Sequence, residues 1–277
     1  MVCLIPQQWH FTQKIKSLLL YKNKNGGMEL TEEQKQRYSR HILLDDIGID
    51  GQQKISNAKV LIIGTGGLGS PIALYLAAAG IGTIGLIDGD VVDLSNLQRQ
   101  IIHTTQDLNV PKVISAKEKI NKLNPDVQVV TYQHLFTAEN ALSIISDFDF
   151  VVDATDNFAT KFLINDACVI AKKPFSHGGI LRYQGETMTY VPGAACYRCL
   201  FHSSPPQPPA AGILGAIAGM LGTIQAAEIL KYFTGVGDLL TNKLLTFNAK
   251  TMDFSKMNTK PSVGCPVCGE NPSIVRL

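Results

Sequence analysis

An α/β fold built on a doubly wound, mostly parallel sheet, with an antiparallel C-terminal extension and a four-cysteine metal site, is what this sequence predicts. Apolar runs of strand length alternate with helix-length segments from residue 60 onward. The first run leads directly into Gly64-Thr65-Gly66-Gly67-Leu68-Gly69, a glycine-rich turn of the kind that opens a nucleotide-binding strand–turn–helix unit. Far downstream lie two Cys-X-X-Cys pairs, Cys196-Tyr197-Arg198-Cys199 and Cys265-Pro266-Val267-Cys268. Taken singly, the turn suggests a dinucleotide-binding dehydrogenase, and the pairs suggest a zinc-stapled module of any purpose.

Each element has its own local reason. Thr31-Glu32-Glu33-Gln34 has capping-box spacing and predicts a helix running through Arg37-Tyr38-Ser39-Arg40. Residues 60–63 are continuously apolar, as a strand buried on both faces requires. After the turn, Ser70-Pro71 reads as N-cap and first helical residue of a helix over 72–79. A second strand over 83–87 ends at Asp88 and completes a Rossmann-like βαβ unit. Further strands are expected at 127–132, 148–153 and 175–177, with helices at 112–123, 138–145 and 158–171. Residues 186–191 and 244–247 read as strands of a less regular, partly antiparallel portion, separated by the stiff run Pro205-Pro206-Gln207-Pro208-Pro209. The apolar helix expected over 212–233 is interrupted by Gln225, Glu228 and Lys231, so it reads as a buried helix, with Gly215 and Gly219 suited to close packing on a second subunit.

With 277 residues and 45% hydrophobic content the chain can bury one sizeable core, so a single domain over 28–277 is expected. Residues 1–27 carry Lys14, Lys16, Lys22 and Lys24 and no acid, and are expected to be a disordered basic extension. The overall charge of +2 therefore leaves the body slightly acidic, which argues against DNA as a partner. Leu18-Leu19-Leu20, flanked by lysines, is too short for a signal peptide core or a membrane span, and a cytoplasmic protein is expected.

Glycines at 64, 66 and 69 allow a tight turn and close approach to phosphates, Gly67 adds clearance, and the following helix N-terminus offers unpaired N–H groups. Asp88 stands at a strand end where a carboxylate can accept from ribose hydroxyls. NAD, FAD and ATP all fit these features. Ser95-Asn96-Leu97-Gln98-Arg99-Gln100, Pro111-Lys112 and Thr155-Asp156-Asn157 shift the balance. Hydride transfer needs an apolar nicotinamide pocket, whereas Arg99, Lys112 and Asp156 are suited to phosphate chemistry. Taken alone, Asp156 also reads as a cap for the helix beginning at Phe158.

On these motifs, together with Asp88-Gly89-Asp90, Ala154-Thr155-Asp156-Asn157 and Gly264-Cys265-Pro266-Val267-Cys268-Gly269, the chain resembles the MoeB/ThiF sulfur-carrier adenylyltransferases, relatives of the ubiquitin-activating enzymes, over about residues 30–269. The resemblance implies ATP and Mg²⁺ bound by Gly64, Gly66, Gly67, Gly69, Asp88, Asp90, Ser95, Asn96, Gln98, Arg99, Lys112, Asp156 and Asn157, with Asp156 on magnesium. It further implies a homodimer in which Arg40 reaches into the partner's ATP site, and a ubiquitin-like sulfur carrier protein ending in Gly-Gly as substrate, in molybdopterin or thiamine biosynthesis. The alternatives are a related dehydratase activating a tRNA-bound carboxylate, an NAD-dependent oxidoreductase and a non-catalytic scaffold.

Cys196, Cys199, Cys265 and Cys268 are expected to hold Zn²⁺ as a closed structural site; the rival is a thioredoxin-like redox pair, disfavoured because the second pair lies near the chain end rather than at a helix start after a strand. Cys168 falls within an expected helix and reads as core filler. Cys3 belongs to the basic extension. Residues 201–212 hold His202 but no cysteine, where some members of the family have one, so a covalent thiol intermediate is doubtful. No rhodanese-like segment follows Cys268, and sulfur is expected from a separate persulfide donor. His177, beside Gly178-Gly179, is expected to be a satisfied structural histidine, with a place facing the cleft as the alternative.

Overall fold

The computed structural model describes residues 29–203 and 212–277. The basic extension with Cys3, and the proline run, lie outside the described residues. In chain order come helices α1 (Glu32–Arg37), α2 (Ser39–Ile42) and α3 (Gly48–Asn57), strand β1 (Lys59–Ile63), helix α4 (Gly69–Ala79) and strand β2 (Thr83–Ile87). Two 3₁₀ turns, Leu94–Asn96 and Thr105–Asp107, precede α5 (Lys112–Leu123), β3 (Gln128–Tyr132), α6 (Ala138–Ser146), β4 (Phe150–Asp153) and α7 (Phe158–Ile170). Then follow β5 (Phe175–Leu181), β6 (Gln184–Tyr190), the short α8 (Tyr197–Leu200), α9 (Gly215–Thr234), β7 (Lys243–Asn248) and β8 (Asp253–Asn258).

One eight-stranded sheet runs β3-β2-β1-β4-β5-β6-β7-β8. β3 through β5 are parallel, and β5 through β8 are antiparallel. Successive residues of β1 alternate between two cores, Val60 and Ile62 into one and Leu61 and Ile63 into the other. This period of two under helices on both faces is why residues 60–63 carry no polar side chain, the exposed Lys59 lying at the strand's start. The first core takes Ile72 and Leu76 of α4, Val113 and Ile120 of α5, and Leu221 of α9. The second takes Ile144 of α6, Phe162 of α7 and Tyr197 of α8. β1 has β2 on one side and β4 on the other, so the strand order switches there and a crevice opens at the strands' carboxyl ends.

Several expectations need correction. The first helix is two, because Tyr38 (φ −97°, ψ 12°) leaves helical geometry. Its buried ring lies against Gly80, and its hydroxyl accepts from Asn124 Nδ2 at 2.8 Å, so tertiary packing overrides the local run. Ser70 is not an N-cap: α4 already begins at Gly69, and Ser70 Oγ donates back to Gly66 O at 2.7 Å. Pro71 is the helix's third residue, where the N–H would be unpaired in any case. The strand expected at 175–177 continues to Leu181, since β6 supplies antiparallel partners for Gly178 and Gly179. Neither α3 nor β8 was expected. β8 is an exposed edge strand whose apolar residues do not alternate with a core face.

Candidate nucleotide site and metal centre

At the end of β1, Gly64 takes φ +94°, and a Cβ there would lie 2.7 Å from Ala154 O, so the position admits only glycine. A Cβ on Gly69 would sit 2.1 Å from Gly64 O; the helix start closes directly on the strand end. Between them Thr65 is fully engaged. Its N–H and hydroxyl both donate to Asp88 Oδ2, at 2.8 and 3.0 Å, and its carbonyl meets His103 Nε2 at 3.1 Å. Asp88 Oδ1 accepts from Asp90 N at 2.9 Å. The carboxylate expected to face ribose thus first fixes the glycine turn.

Lys112 opens α5 with its side chain buried and its Nζ 2.8 Å from Asp90 Oδ2, while Asp90 itself is exposed. Asp90 O also accepts from Lys112 N at 3.0 Å. Arg99 lays its aliphatic stem beside Gly67, where a Cβ would meet its Cγ at 3.5 Å, and its Nη1 donates to Ser95 O at 3.1 Å. Ser95 and Asn96 are held in a reciprocal cap with Asp93: Ser95 N and Oγ donate to Asp93 Oδ1 at 2.8 and 2.6 Å, and Asn96 Oδ1 accepts from Asp93 N at 3.2 Å. Those Ser95 contacts hold the Asp93 carboxyl below the usual carboxylate range. Gln98 faces α9, with its carbonyl 2.2 Å from where a Cβ on Gly215 would be.

The β4 end supplies the remaining groups. Asn157, not Asp156, caps α7, accepting from Thr160 N at 2.9 Å. Asp156 is exposed. The capping alternative for Asp156 therefore falls, and Asn157 has a structural task of its own. Arg40 lies exposed on α2.

Two buried polar sets escaped the sequence reading. Gln100 is 4% exposed, with Nε2 3.5 Å from a would-be Cβ on Gly66 and Oε1 without a hydrogen-bond partner. Beneath the β4 end, Asp153 accepts from Thr155 N and Oγ1 (3.1 and 2.7 Å), Lys161 Nζ (3.1 Å) and His177 Nδ1 (2.8 Å). Burial alone would raise its pKa, but Lys161 and His177 outweigh burial and hold it well below the usual range. His177 is buried against Tyr197, with ring centroids 4.5 Å apart, but only its Nδ1 is hydrogen-bonded and its Nε2 is buried without a hydrogen-bond partner, so the expected satisfied histidine is met only in part. The available signal was the Asp153-Ala154-Thr155 run at the end of β4 and the Phe175-Ser176-His177 run on the adjacent β5.

The four cysteines converge. Sγ of Cys196 lies 3.9, 3.6 and 3.4 Å from those of Cys199, Cys265 and Cys268, and Cys199 to Cys268 is 3.4 Å. A tetrahedral ion with Zn–S bonds of about 2.3 Å would set these edges at about 3.8 Å, so the donor set fits zinc. Burial and the neighbouring thiols push Cys196 well up and Cys268 up to about 12. A divalent cation would supply the charge that lets such thiols ionise together. Ser262 N donates to Cys199 Sγ at 3.4 Å, an outer contact of the kind that orients a ligand. Cys168 is fully buried, as expected, and burial raises its thiol pKa. No helix of the described residues is long and apolar enough to cross a membrane.

Comparison with known proteins agrees with this geometry. Residues 38–267 match the ThiF family. "Adenylyltransferase and sulfurtransferase MOCS3" of Aedes aegypti is 42% identical over 96% of this chain and 62% of its own length. "Sulfur carrier protein adenylyltransferase" of Thermus thermophilus is 40% identical over 89% of this chain and 95% of its own length. A crystal structure of E. coli MccB with ATP superposes with a TM-score of 0.74 at 26% identity, covering 84% of this chain and 73% of that one. The chain thus spans about three fifths of the length of MOCS3 relatives such as the Aedes protein.

Proposed function

The chain belongs to the ThiF family, and from that premise we propose that it adenylates the C-terminal glycine carboxylate of a ubiquitin-like sulfur carrier protein, using ATP and releasing pyrophosphate. A carboxylate oxygen attacks the α-phosphorus, a new P–O bond forms, and the α–β bridging P–O bond breaks with its electron pair leaving on pyrophosphate. The attacking carboxylate is ionised at neutral pH, so no general base is needed. The barrier is the approach of one anion to another, and catalysis comes from neutralising charge and fixing position.

Lys112 and Arg99 face the phosphates, Asn96 orients a phosphate oxygen, and Arg40 of a second protomer completes the shield in a homodimer. One well-placed contact of this kind contributes about 3–4 kcal/mol. Lys112 is already buried and paired with the Asp90 carboxylate, so part of its desolvation cost is met before nucleotide arrives. The exposed Asp156, relieved of capping by Asn157, is suited to hold Mg²⁺. When bound, that ion would supply further charge neutralisation on the triphosphate.

Cys196, Cys199, Cys265 and Cys268 would hold a structural Zn²⁺, their four sulfurs lying within 4.8 Å of one another. Among the described residues this leaves only Cys168, buried and distant in role, so sulfur is delivered by a persulfide donor outside this domain. A reduced thiol cluster fits a cytoplasmic setting. The carrier's pathway is that of molybdopterin or thiamine. The observation that carries the reading is the pinned glycine turn with Lys112 and Arg99 beside it. ATP–pyrophosphate exchange with candidate carriers ending in Gly-Gly tests it, with mass spectrometry of the carrier: an AMP adduct is expected, and no exchange with any such carrier would refute it.

A further inference from the structure

His103 lies between the two phosphate-facing elements and belongs to no motif that the family resemblance brought in. It is 5% exposed. Its Nε2 meets the Thr65 carbonyl at 3.1 Å, and its Nδ1 meets Ser115 Oγ at 2.8 Å. A carbonyl oxygen can only accept, so Nε2 must carry the proton. Nδ1 of the neutral ring then accepts from the Ser115 hydroxyl, and the ring becomes a one-directional strut. Burial lowers the His103 pKa, which keeps that ring neutral.

The strut joins two places. Thr65 sits inside the glycine turn, with its other polar groups taken by Asp88. Ser115 sits one helical turn after Lys112, on the same side of α5. Asp90 ties Lys112 to the Asp88 segment from the opposite direction. We propose that His103, in its Nε2–H tautomer, is a positioning residue that holds the glycine turn and the Lys112 helix in register for the triphosphate of ATP. It touches no substrate; it acts through Thr65 and Ser115.

The proposal rests on the adenylation reading, and its tests separate the two. Nitrogen-15 shifts of the His103 ring should report the Nε2–H tautomer in the full-length protein; the Nδ1–H tautomer would overturn the strut. His103→Leu should raise the Kd for ATP by calorimetry, and the KM for ATP in exchange, about tenfold, as expected for a lost buried hydrogen bond. KM for the carrier should stay put. His103→Gln, whose amide can still donate to Thr65 O, should recover most of the loss, and Ser115→Ala should give a smaller rise of the same kind. Variants that lose activity only in proportion to a lower Tm, with Kd for ATP unchanged, would reduce His103 to a core residue and overturn the proposal. Absence of exchange in the wild type would sink adenylation, while the ring tautomer and the ATP affinities still decide the role of His103.

Discussion

The nucleotide cradle and the cysteine clamp solve opposite problems in one sheet. In the cradle, most polar groups are spent on one another: Asp88 on Thr65 and Asp90, Asp90 on Lys112, Asp93 on Ser95, Asn157 on the α7 start. Asp156, Asp90, Asp93, Ser95 and Gln98 are exposed and Arg99 is half-buried, so the cradle's outer side stays open. In the clamp, four sulfurs face inward on one another and leave nothing for a substrate. A cradle of prepaid hydrogen bonds keeps its shape without a ligand, whereas a cluster of thiols needs a cation to be stable as thiolates. The first should therefore fail in activity before stability, and the second in stability before activity.

The largest effect should come from the clamp. Cys265→Ser is expected to abolish zinc binding at the proposed site and lower Tm sharply, since structural zinc contributes on the order of 10 kcal/mol in small domains. Metal content and thermal melts of the purified protein check it, and an unchanged Tm with zinc gone would erase the contrast. Next, Lys112→Met should cut exchange by roughly 10²–10³-fold. Its Tm should move little, because Met fills much of the same buried stem while Asp90 remains solvated. Gly69→Ala crosses the boundary between the two behaviours. Its methyl would meet Gly64 O, and a cost of about 3 kcal/mol by denaturant titration is expected, the top of the overpacking range.

The smallest effect is a pH effect at the cradle's outer support. Hydrogen bonds from Lys119 and Thr104 outweigh burial and hold Asp107 at about 2. A depressed carboxyl stabilises the fold fully above its unfolded value near 3.8, and that contribution fades as pH falls towards 2. At about 1.4 kcal/mol per pKa unit this is about 2 kcal/mol, with Asp107 nearly buried. Asp107→Asn should flatten the loss of stability between pH 4 and 2. An identical pH slope in the variant would contradict the assignment.

The same contrast explains what could be read in advance. The turn at Gly64–Gly69, Asp88, Lys112 and the cysteine pairs are each contiguous or fixed by residue type, so strand ends and donor chemistry followed from the letters. What escaped depends on partners far along the chain. Tyr38 breaks a helix because Asn124 holds its hydroxyl, 86 positions away. Asn157 rather than Asp156 caps α7, a choice between neighbours that propensity does not separate. Asp153, Lys161 and His177 form a buried set only once β4, α7 and β5 have packed. β8 has no apolar alternation because all six of its residues are exposed, so neither face is selected for burial, and its edge is open.

The most direct test of the central claim compares exchange by wild type and Asp156→Ala at matched zinc content and Tm, with a carrier ending in Gly-Gly. Wild-type exchange falling at least 10²-fold in the variant, with the fold intact, is the predicted result. An Asp156→Ala protein that exchanges pyrophosphate like the wild type would contradict it.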